Sequence, residues 1–274
     1  MQIAPYKLPY KKPYKIFDSH LHIIESGFPL IANAGFTPNI FSVQQYLQKM
    51  RPYDLLGGVV VSGSFQAFDQ SYLIAALKKL GPSFVGVTQL PVSVSDNEIM
   101  ALNKAGVRGL RFNLLRGGSA QLSDLDCLAR RVYDIAAWHC ELYADAADLL
   151  PLYSLLCNLP SVSIDHLGLS KAGLPTLLML AEQGVRIKAT GFGRVDFDND
   201  SDSIFDINRV AALRDLHSAN PAALMFGSDL PSTRAPRPFL HSDITRLIDS
   251  VGEAQADAVL HANAAQFYRI TEDA

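Results

Sequence analysis

The chain has 274 residues, of which 49% are hydrophobic and 19% charged, and its formal net charge at pH 7 is −3. That length and apolar content suffice for one large domain with a sizeable core. The weakly acidic balance argues against nucleic acid or an anionic membrane as a partner. The sequence contains no long uninterrupted apolar run, so we predict no transmembrane helix.

The chain begins with MQIAPYKLPYKKPYK, in which no apolar stretch follows the lysines, so we do not expect a signal peptide. Its prolines and tyrosines predict an extended arm over 1–14, lying on the domain or on a neighbouring subunit, which favours a homo-oligomer. The three cysteines, Cys127, Cys140 and Cys157, lack CxxC spacing. We therefore expect reduced thiols and a cytoplasmic protein.

Short apolar runs alternate with helical patterns from residue 15 onwards. The predicted strands are 15–23, 57–63, 84–90, 107–113, 140–146, 162–168, 185–191 and 224–230. Helices are predicted over 69–80, 125–136, 147–158, 171–183, 204–219, 240–251 and 254–267, and a capping box at 95–98 starts another. Eight strands alternating with helices favour a closed (β/α)8 TIM barrel over an open doubly wound sheet. We expect a single barrel domain over 15–274.

Two long loops are predicted between these elements. Residues 24–45 would lie over the top of the barrel after the first strand, and the acidic run 196–206 would be a solvated surface segment. We expect three loops, 24–45, 114–122 and 192–206, to determine substrate specificity.

His20 and His22 lie two residues apart at the end of the first strand, so extended backbone would point both the same way, with Asp18 on that side. Two converging imidazoles need a polar partner, which can be a metal ion, a catalytic water or an anionic substrate.

Further polar residues end the later strands, at the barrel face that carries active sites. They are Arg111, Asn113, Tyr143, Asp145, Asp165, His166, Lys188, Thr190, Ser228 and Asp229, with Arg194 just beyond the seventh strand. Strand alternation separates Arg111 from Arg108, which would turn towards the helices. The other histidines lie in predicted helical segments and are expected at the surface or as caps. They are His139, His217, His241 and His261.

The motifs DSHLH, IDHLG and FGSDLP, in this order and spacing, resemble the amidohydrolase superfamily. More narrowly, they resemble its amidohydrolase-2 branch, which includes 2-pyrone-4,6-dicarboxylate lactonases and sugar lactonases. The resemblance extends over roughly 15–269 and implies a hydrolase on a (β/α)8 barrel. It also implies substrate-binding roles for Arg111, Tyr143 and Arg194. Arg116 stands one residue from the place of a second substrate arginine, and Arg234 is close to the place of an asparagine.

The resemblance leaves the metal requirement open. Binuclear members use a bridging carboxylated lysine or glutamate and two later histidines, whereas this chain has one later strand-end histidine, His166. Mononuclear decarboxylases of the branch bind zinc, and the matching ligands here would be His20, His22, His166 and Asp229, a set that suits zinc or another divalent cation. The lactonase members work without a metal, and we expect no required cofactor.

We therefore expect a lactonase acting on a small anionic substrate, a carboxylated or sugar-derived lactone. Asp229 would be the general base, kept ionised by neighbouring histidines, and His20, His22 and His166 would polarise the lactone carbonyl. The arginines would hold substrate carboxylates through paired N–H donors. The alternatives are a zinc-dependent decarboxylase or other lyase or isomerase, another amide or ester hydrolase of the superfamily, and a non-catalytic barrel that binds a small anion.

Overall fold

The computed structural model describes residues 14–195 and 207–270, and within 207–209 the backbone only. The predicted arm, apart from Tyr14, and the acidic run 196–206 lie outside the described residues. No helix in the described ranges is long and apolar enough to cross a membrane.

Eight parallel strands form one sheet in the order β1 to β8, as the sequence predicts. They are Lys15–Leu21 (β1), Asp54–Val61 (β2), Phe84–Thr88 (β3), Val107–Asn113 (β4), His139–Tyr143 (β5), Val162–Ile164 (β6), Arg186–Ala189 (β7) and Leu224–Phe226 (β8). Two backbone hydrogen bonds of 2.8 Å join the ends of β1 and β8, from Asp229 N to His20 O and from His22 N to Leu230 O. The sheet is thus a nearly closed TIM barrel, and the predicted fold is confirmed.

Helices lie outside the strands. They are Val43–Met50 (α1), Ser71–Leu80 (α2), Asp96–Lys104 (α3), Leu125–Ala136 (α4), Tyr153–Asn158 (α5), Leu174–Glu182 (α6), Ile207–Ala219 (α7), His241–Val251 (α8) and Asn263–Phe267 (α9). The capping box that starts α3 is present, because Ser95 Oγ accepts from Glu98 N and Glu98 Oε2 accepts from Ser95 N. The sequence did not predict α1, which begins with its own capping box at Ser42.

The barrel has an apolar interior at one end and a polar interior at the other. Phe17, Val59, Val61, Val85 and Val87 pack inside the barrel with Met225, and Tyr268 packs against them from the C-terminal segment. A larger apolar cluster lies between sheet and helices. The inward-facing residues nearer the carboxyl ends of the strands are charged or polar, and this layer carries the candidate site.

Three expectations about single side chains are wrong. His261 lies in a helical segment as predicted, but it is buried instead of being at the surface. His139 is the first residue of β5, not a surface or capping residue of a helix; it is buried and its Nδ1–H donates to Arg108 O at 3.0 Å. Asp18 does not share a face with the two histidines, because it accepts hydrogen bonds from Tyr46 of α1 and from Ser228. The cause is a register shift in β1 between Asp18 and Leu21, which interrupts the strict alternation of side chains.

Candidate active site

Four predicted catalytic side chains meet at the carboxyl end of the barrel. His20 and His22 come from the end of β1, His166 follows β6 and Asp229 follows β8. The Nε2 atoms of the three histidines lie 3.9 Å (His20), 3.6 Å (His22) and 3.9 Å (His166) from Asp229 Oδ1. All four side chains are buried. The Nε2 atoms of three imidazoles therefore face one carboxylate oxygen.

The backbone at two of these residues adopts an uncommon conformation. His166 has φ 50° and Asp229 has φ 56°, in the left-handed region that non-glycine residues seldom occupy. Gly191, at φ 62°, faces His166, and a β-carbon there would lie 2.6 Å from His166 Nδ1. Such conformations persist where the surrounding structure holds them, and they concentrate at functional sites.

Hydrogen bonds behind the imidazoles fix their orientation. His22 Nδ1 lies 2.7 Å from Val61 O, and because a carbonyl only accepts, this nitrogen carries the proton. His166 Nδ1 lies 2.7 Å from Thr190 Oγ1, a hydroxyl that can donate or accept. His20 Nδ1 lies 3.2 Å from Lys188 Nζ. In its neutral form His22 therefore presents an unprotonated Nε2 to Asp229.

The protonation states follow from burial and neighbouring charges. Burial alone would raise the pKa of Asp229, but the Arg194 guanidinium and the nearby histidines hold that pKa well below its ordinary value. Arg194 donates from Nε at 2.9 Å and from Nη2 at 2.6 Å to Asp229 Oδ2. Burial lowers the pKa of His166 to about 3, despite the opposing effect of Asp229. The expected ionised Asp229 is thus supported, with Arg194 as its closest cation.

A buried network of opposite charges lies beside the histidines. Arg111 donates from Nε at 3.1 Å and from Nη2 at 2.7 Å to Asp165 Oδ2, and its Nε is 3.4 Å from Glu141 Oε1. Lys188 Nζ lies 2.5 Å from Glu141 Oε2 and 3.5 Å from Asp165 Oδ1. Two cations and two carboxylates therefore compensate each other within the barrel.

A cavity opens above this layer. Its lining residues are His22, Gly63, Ser64, Phe65, Arg111, Asn113, Arg116, Tyr143, His166, Arg194, Thr233 and Arg234. Four of these are arginines and, among the described residues, none is acidic. Such a lining favours an anionic ligand. His20 and Asp229 lie just beneath, next to the His22 and His166 rings.

The predicted substrate-binding residues all line this cavity but differ in their partners. Arg111 and Arg194 already contact Asp165 and Asp229. Tyr143 packs edge-on against His166, with 5.3 Å between ring centroids. Arg116 is half-buried, and across residues 14–195 and 207–270 its guanidinium has no hydrogen-bond or ion-pair partner. Arg116 is therefore the cation most available to a ligand.

The structure also separates residues that the sequence placed together. Asp145 turns away from the cavity, where its Oδ1 accepts from Ala147 N at 2.9 Å and from Ser170 Oγ at 2.6 Å, because the chain leaves the strand after Tyr143. Ser64 and Phe65 of the loop after β2 line the cavity, and neither was a candidate from sequence, because they belong to no chemical motif. Arg108 bonds to Asn103 of α3 and lies away from the site, as predicted.

Two groups of side chains have the spacing of metal ligands. The first group is His20, Glu141 and Asp165. Lys188 Nζ already lies beside all three residues and supplies the positive charge there. The group of His20, His166 and Asp229 could hold a divalent ion on distance alone, with His22 nearby. A metal-binding imidazole usually donates its other N–H to an acceptor. His22 fits that rule, and His166 can, but the other nitrogen of His20 lies 3.2 Å from the Lys188 ammonium and 3.3 Å from Asp165 Oδ1. With Lys188 as the partner of that nitrogen, His20 does not fit the rule, whereas with Asp165 as the partner it would.

A sequence profile of the amidohydrolase family matches residues 17–270, nearly the entire chain. The chain belongs to the amidohydrolase family. The resemblance seen in the strand-end motifs is thereby confirmed.

Relatives of this amidohydrolase include enzymes that act on lactones. It is 31% identical over 169 residues to a 2-pyrone-4,6-dicarboxylate hydrolase of Comamonas testosteroni, covering 60% of this chain and 55% of the relative. It is 24% identical over 182 residues to a D-galactarolactone isomerase of Agrobacterium fabrum, covering 63% of this chain and 62% of the relative. A solved structure of a candidate 2-pyrone-4,6-dicarboxylic acid hydrolase from Pseudomonas putida matches with a TM-score of 0.77 and 26% identity, covering 94% of this chain and 98% of the other. The match thus spans less than two thirds of either curated relative, whereas the fold is shared almost throughout.

Proposed function

We propose that this amidohydrolase hydrolyses the ring ester of a small lactone that carries at least one carboxylate. The observation that carries the proposal is a single carboxylate oxygen, Asp229 Oδ1, facing three imidazoles beneath a cavity lined by four arginines. Its relatedness to a dicarboxylate lactone hydrolase supports the same substrate class.

Asp229 and His22 are placed to hold the attacking water. Asp229 Oδ1 and the unprotonated Nε2 of neutral His22 are both acceptors and lie 3.6 Å apart. A water that donates one hydrogen to each would satisfy both and keep its lone pair for the lactone carbonyl carbon. As the C–O bond forms, the proton passes to Asp229, and when the ring C–O bond breaks, the leaving oxygen takes that proton back.

His20 and His166 are the candidate donors to the carbonyl oxygen, where negative charge develops. His20 Nε2 is buried and, within the described part of the chain, has no hydrogen-bond partner, so it is available to a substrate atom. Donors fixed in advance in a site of low dielectric stabilise an oxyanion without further reorganisation. His22 differs from the expectation here, because in its neutral form its Nε2 accepts instead of donating.

A panel of matched lactones tests the proposal. Each pair should share a ring and differ by one carboxylate, with acid release followed by a pH indicator. We expect turnover of carboxylated members and much weaker turnover of neutral ones. Turnover of neither member of any pair, or equal turnover of both, would contradict the proposal.

Replacing Arg116 should weaken binding of the carboxylated lactones only. Arg116→Met removes a half-buried guanidinium that has no protein partner in the described ranges, so the fold should be unaffected. Loss of one charge-assisted hydrogen bond, worth about 1.5–3 kcal/mol, would raise KM by roughly 10–100-fold with little change in kcat. Arg130→Met, on the exposed face of α4, is the matched control and should leave KM unchanged. An equal KM increase for neutral lactones would show that Arg116 does not bind the carboxylate.

Isomerisation of a lactone is the second candidate function, because one relative is a D-galactarolactone isomerase. The products distinguish the two reactions: hydrolysis releases an open acid, whereas isomerisation yields another lactone without net acid release. A decarboxylase would instead release carbon dioxide, and zinc dependence would be tested by chelation and metal analysis in the same assay. Product analysis by NMR separates all three.

A further inference from the structure

Lys188 is a fully buried ammonium that the proposed reaction leaves without a role. It lies on β7, does not line the cavity, and points into the barrel between Glu141 and His20. Its Nζ is 2.5 Å from Glu141 Oε2, which compensates its charge, and 3.2 Å from His20 Nδ1. The contact with His20 Nδ1 determines which nitrogen of that ring carries the proton.

The direction of this hydrogen bond is fixed by the two groups. An ammonium has three N–H donors and no acceptor, so His20 Nδ1 must accept and carries no proton. A ring that accepts at Nδ1 then carries its proton at Nε2, the atom that faces Asp229 Oδ1 at 3.9 Å.

The opposite tautomer would need another acceptor for a proton on Nδ1. Asp165 Oδ1 is 3.3 Å from Nδ1, but within the described residues that oxygen makes no hydrogen bond of acceptable geometry. Asp165 is instead engaged through its other oxygen, Oδ2, by Arg111. The geometry favours Lys188 over Asp165 as the partner of the His20 ring.

We propose that Lys188 is a positioning residue that holds His20 as the Nε2–H tautomer, so that His20 donates a hydrogen bond to the substrate. The identity of the acceptor, a lactone carbonyl oxygen, rests on the proposed function; the tautomer does not. A nitrogen that carries a proton cannot coordinate a metal ion, so with this contact His20 does not fit as a metal ligand. His22, held as Nδ1–H by Val61 O, has the opposite tautomer and role.

The tautomer can be read directly from ¹⁵N NMR of the full chain labelled at histidine. The seven histidines give few signals, and the His20 signals are assigned by their loss in His20→Gln. We expect the protonated, pyrrole-type resonance at Nε2 and the pyridine-type resonance at Nδ1. The reverse pattern, or an Nε2 resonance displaced by a bound metal, would overturn the inference.

Two variants identify Lys188 as the cause. Lys188→Met and Glu141→Gln each break the same buried ion pair, but only the first removes the donor beside His20. We expect the tautomer to change in Lys188→Met and to persist in Glu141→Gln. A change in both, or in neither, would show that Lys188 does not set it, and should Lys188→Met fail to fold, the wild-type spectrum still decides the tautomer.

The kinetic consequence is separable from the tautomer. On an active lactone, Lys188→Met should lower kcat by about 10²–10³-fold, the usual effect of losing one oxyanion donor, with KM changed little. If no lactone is turned over while His20 is the Nε2–H tautomer, the proposed function fails and the role of Lys188 stands. If lactones are hydrolysed while His20 carries its proton on Nδ1, the role of Lys188 fails and the proposed function stands.

Discussion

Asp229→Asn is expected to lower kcat for lactone hydrolysis by about 10³-fold, with the fold intact. The amide keeps the shape of the carboxylate and an oxygen for Arg194, which now donates to Oδ2. It cannot take a proton from water, so in the proposed mechanism the step that forms the new C–O bond loses its base. Steady-state kinetics on the best carboxylated lactone, with thermal unfolding measured alongside, make the comparison.

Asp243→Asn is the matched control for this substitution. Asp243 is also a fully buried aspartate held by an arginine, with Arg237 Nη2 at 2.7 Å from Oδ1 and Nη1 at 2.9 Å from Oδ2. It lies on α8, outside the cavity lining, so its replacement should cost stability but not kcat. Near-normal kcat in Asp229→Asn would remove Asp229 as the base, and a similar loss in both variants would indicate a structural effect.

Arg111→Met is expected to lower the free energy of unfolding by about 3–5 kcal/mol, and the melting temperature by roughly 10 °C. The side chains of Arg111 and Asp165 are 3% and 0% exposed, so the variant leaves a carboxylate in the barrel interior without its main compensating charge. Burial alone would raise the pKa of Asp165, and Arg111 is the leading cation that holds this pKa well below its usual value. Thermal unfolding at neutral pH measures the loss.

Arg131→Met supplies a control with the same local geometry at the surface. Arg131 donates from Nε at 2.9 Å and from Nη2 at 2.5 Å to one oxygen of Asp96, just as Arg111 does to Asp165. Their side chains are 31% and 67% exposed, so solvent screens the pair and its loss should cost only about 0–1 kcal/mol. Equal melting temperatures for the two variants would mean that the buried pair is not a main source of stability, and Arg111 would then be free to act mainly on substrate.

The fold and the ring of site residues could be predicted from sequence because both depend on local patterns. Apolar runs bounded by turn residues, repeated eight times with helices between them, indicate a parallel barrel. The carboxyl ends of parallel strands meet at one face, so His20, His22, His166 and Asp229 had to converge once the strands were placed. Several strands end earlier in the sequence than predicted, because the site residues follow the last paired residue of their strand. For example, β8 ends at Phe226, and Asp229 lies three residues further along the chain.

The partners within the ring could not be predicted in the same way. Asp18 shares the period of His20 and His22, yet an irregularity of pairing between β1 and β2 turns it towards Tyr46. A pairing irregularity depends on the neighbouring strand, which the local sequence does not contain. His139 was placed in a helix for a similar reason, because it stands at the boundary between the α4 region and β5, where the period gives little guidance.

The sequence by itself determined the eight-stranded barrel, its family, and the set of histidine, aspartate and arginine side chains at its carboxyl end. Only the tertiary structure decided what each of those side chains contacts: Arg111 on Asp165, Arg194 on Asp229, and Lys188 on His20. The physical reason is that periodicity reports which way a side chain points, whereas a hydrogen bond or ion pair depends on a few tenths of an ångström between residues far apart in the chain. Those distances also decide whether an imidazole donates, accepts or could bind a metal.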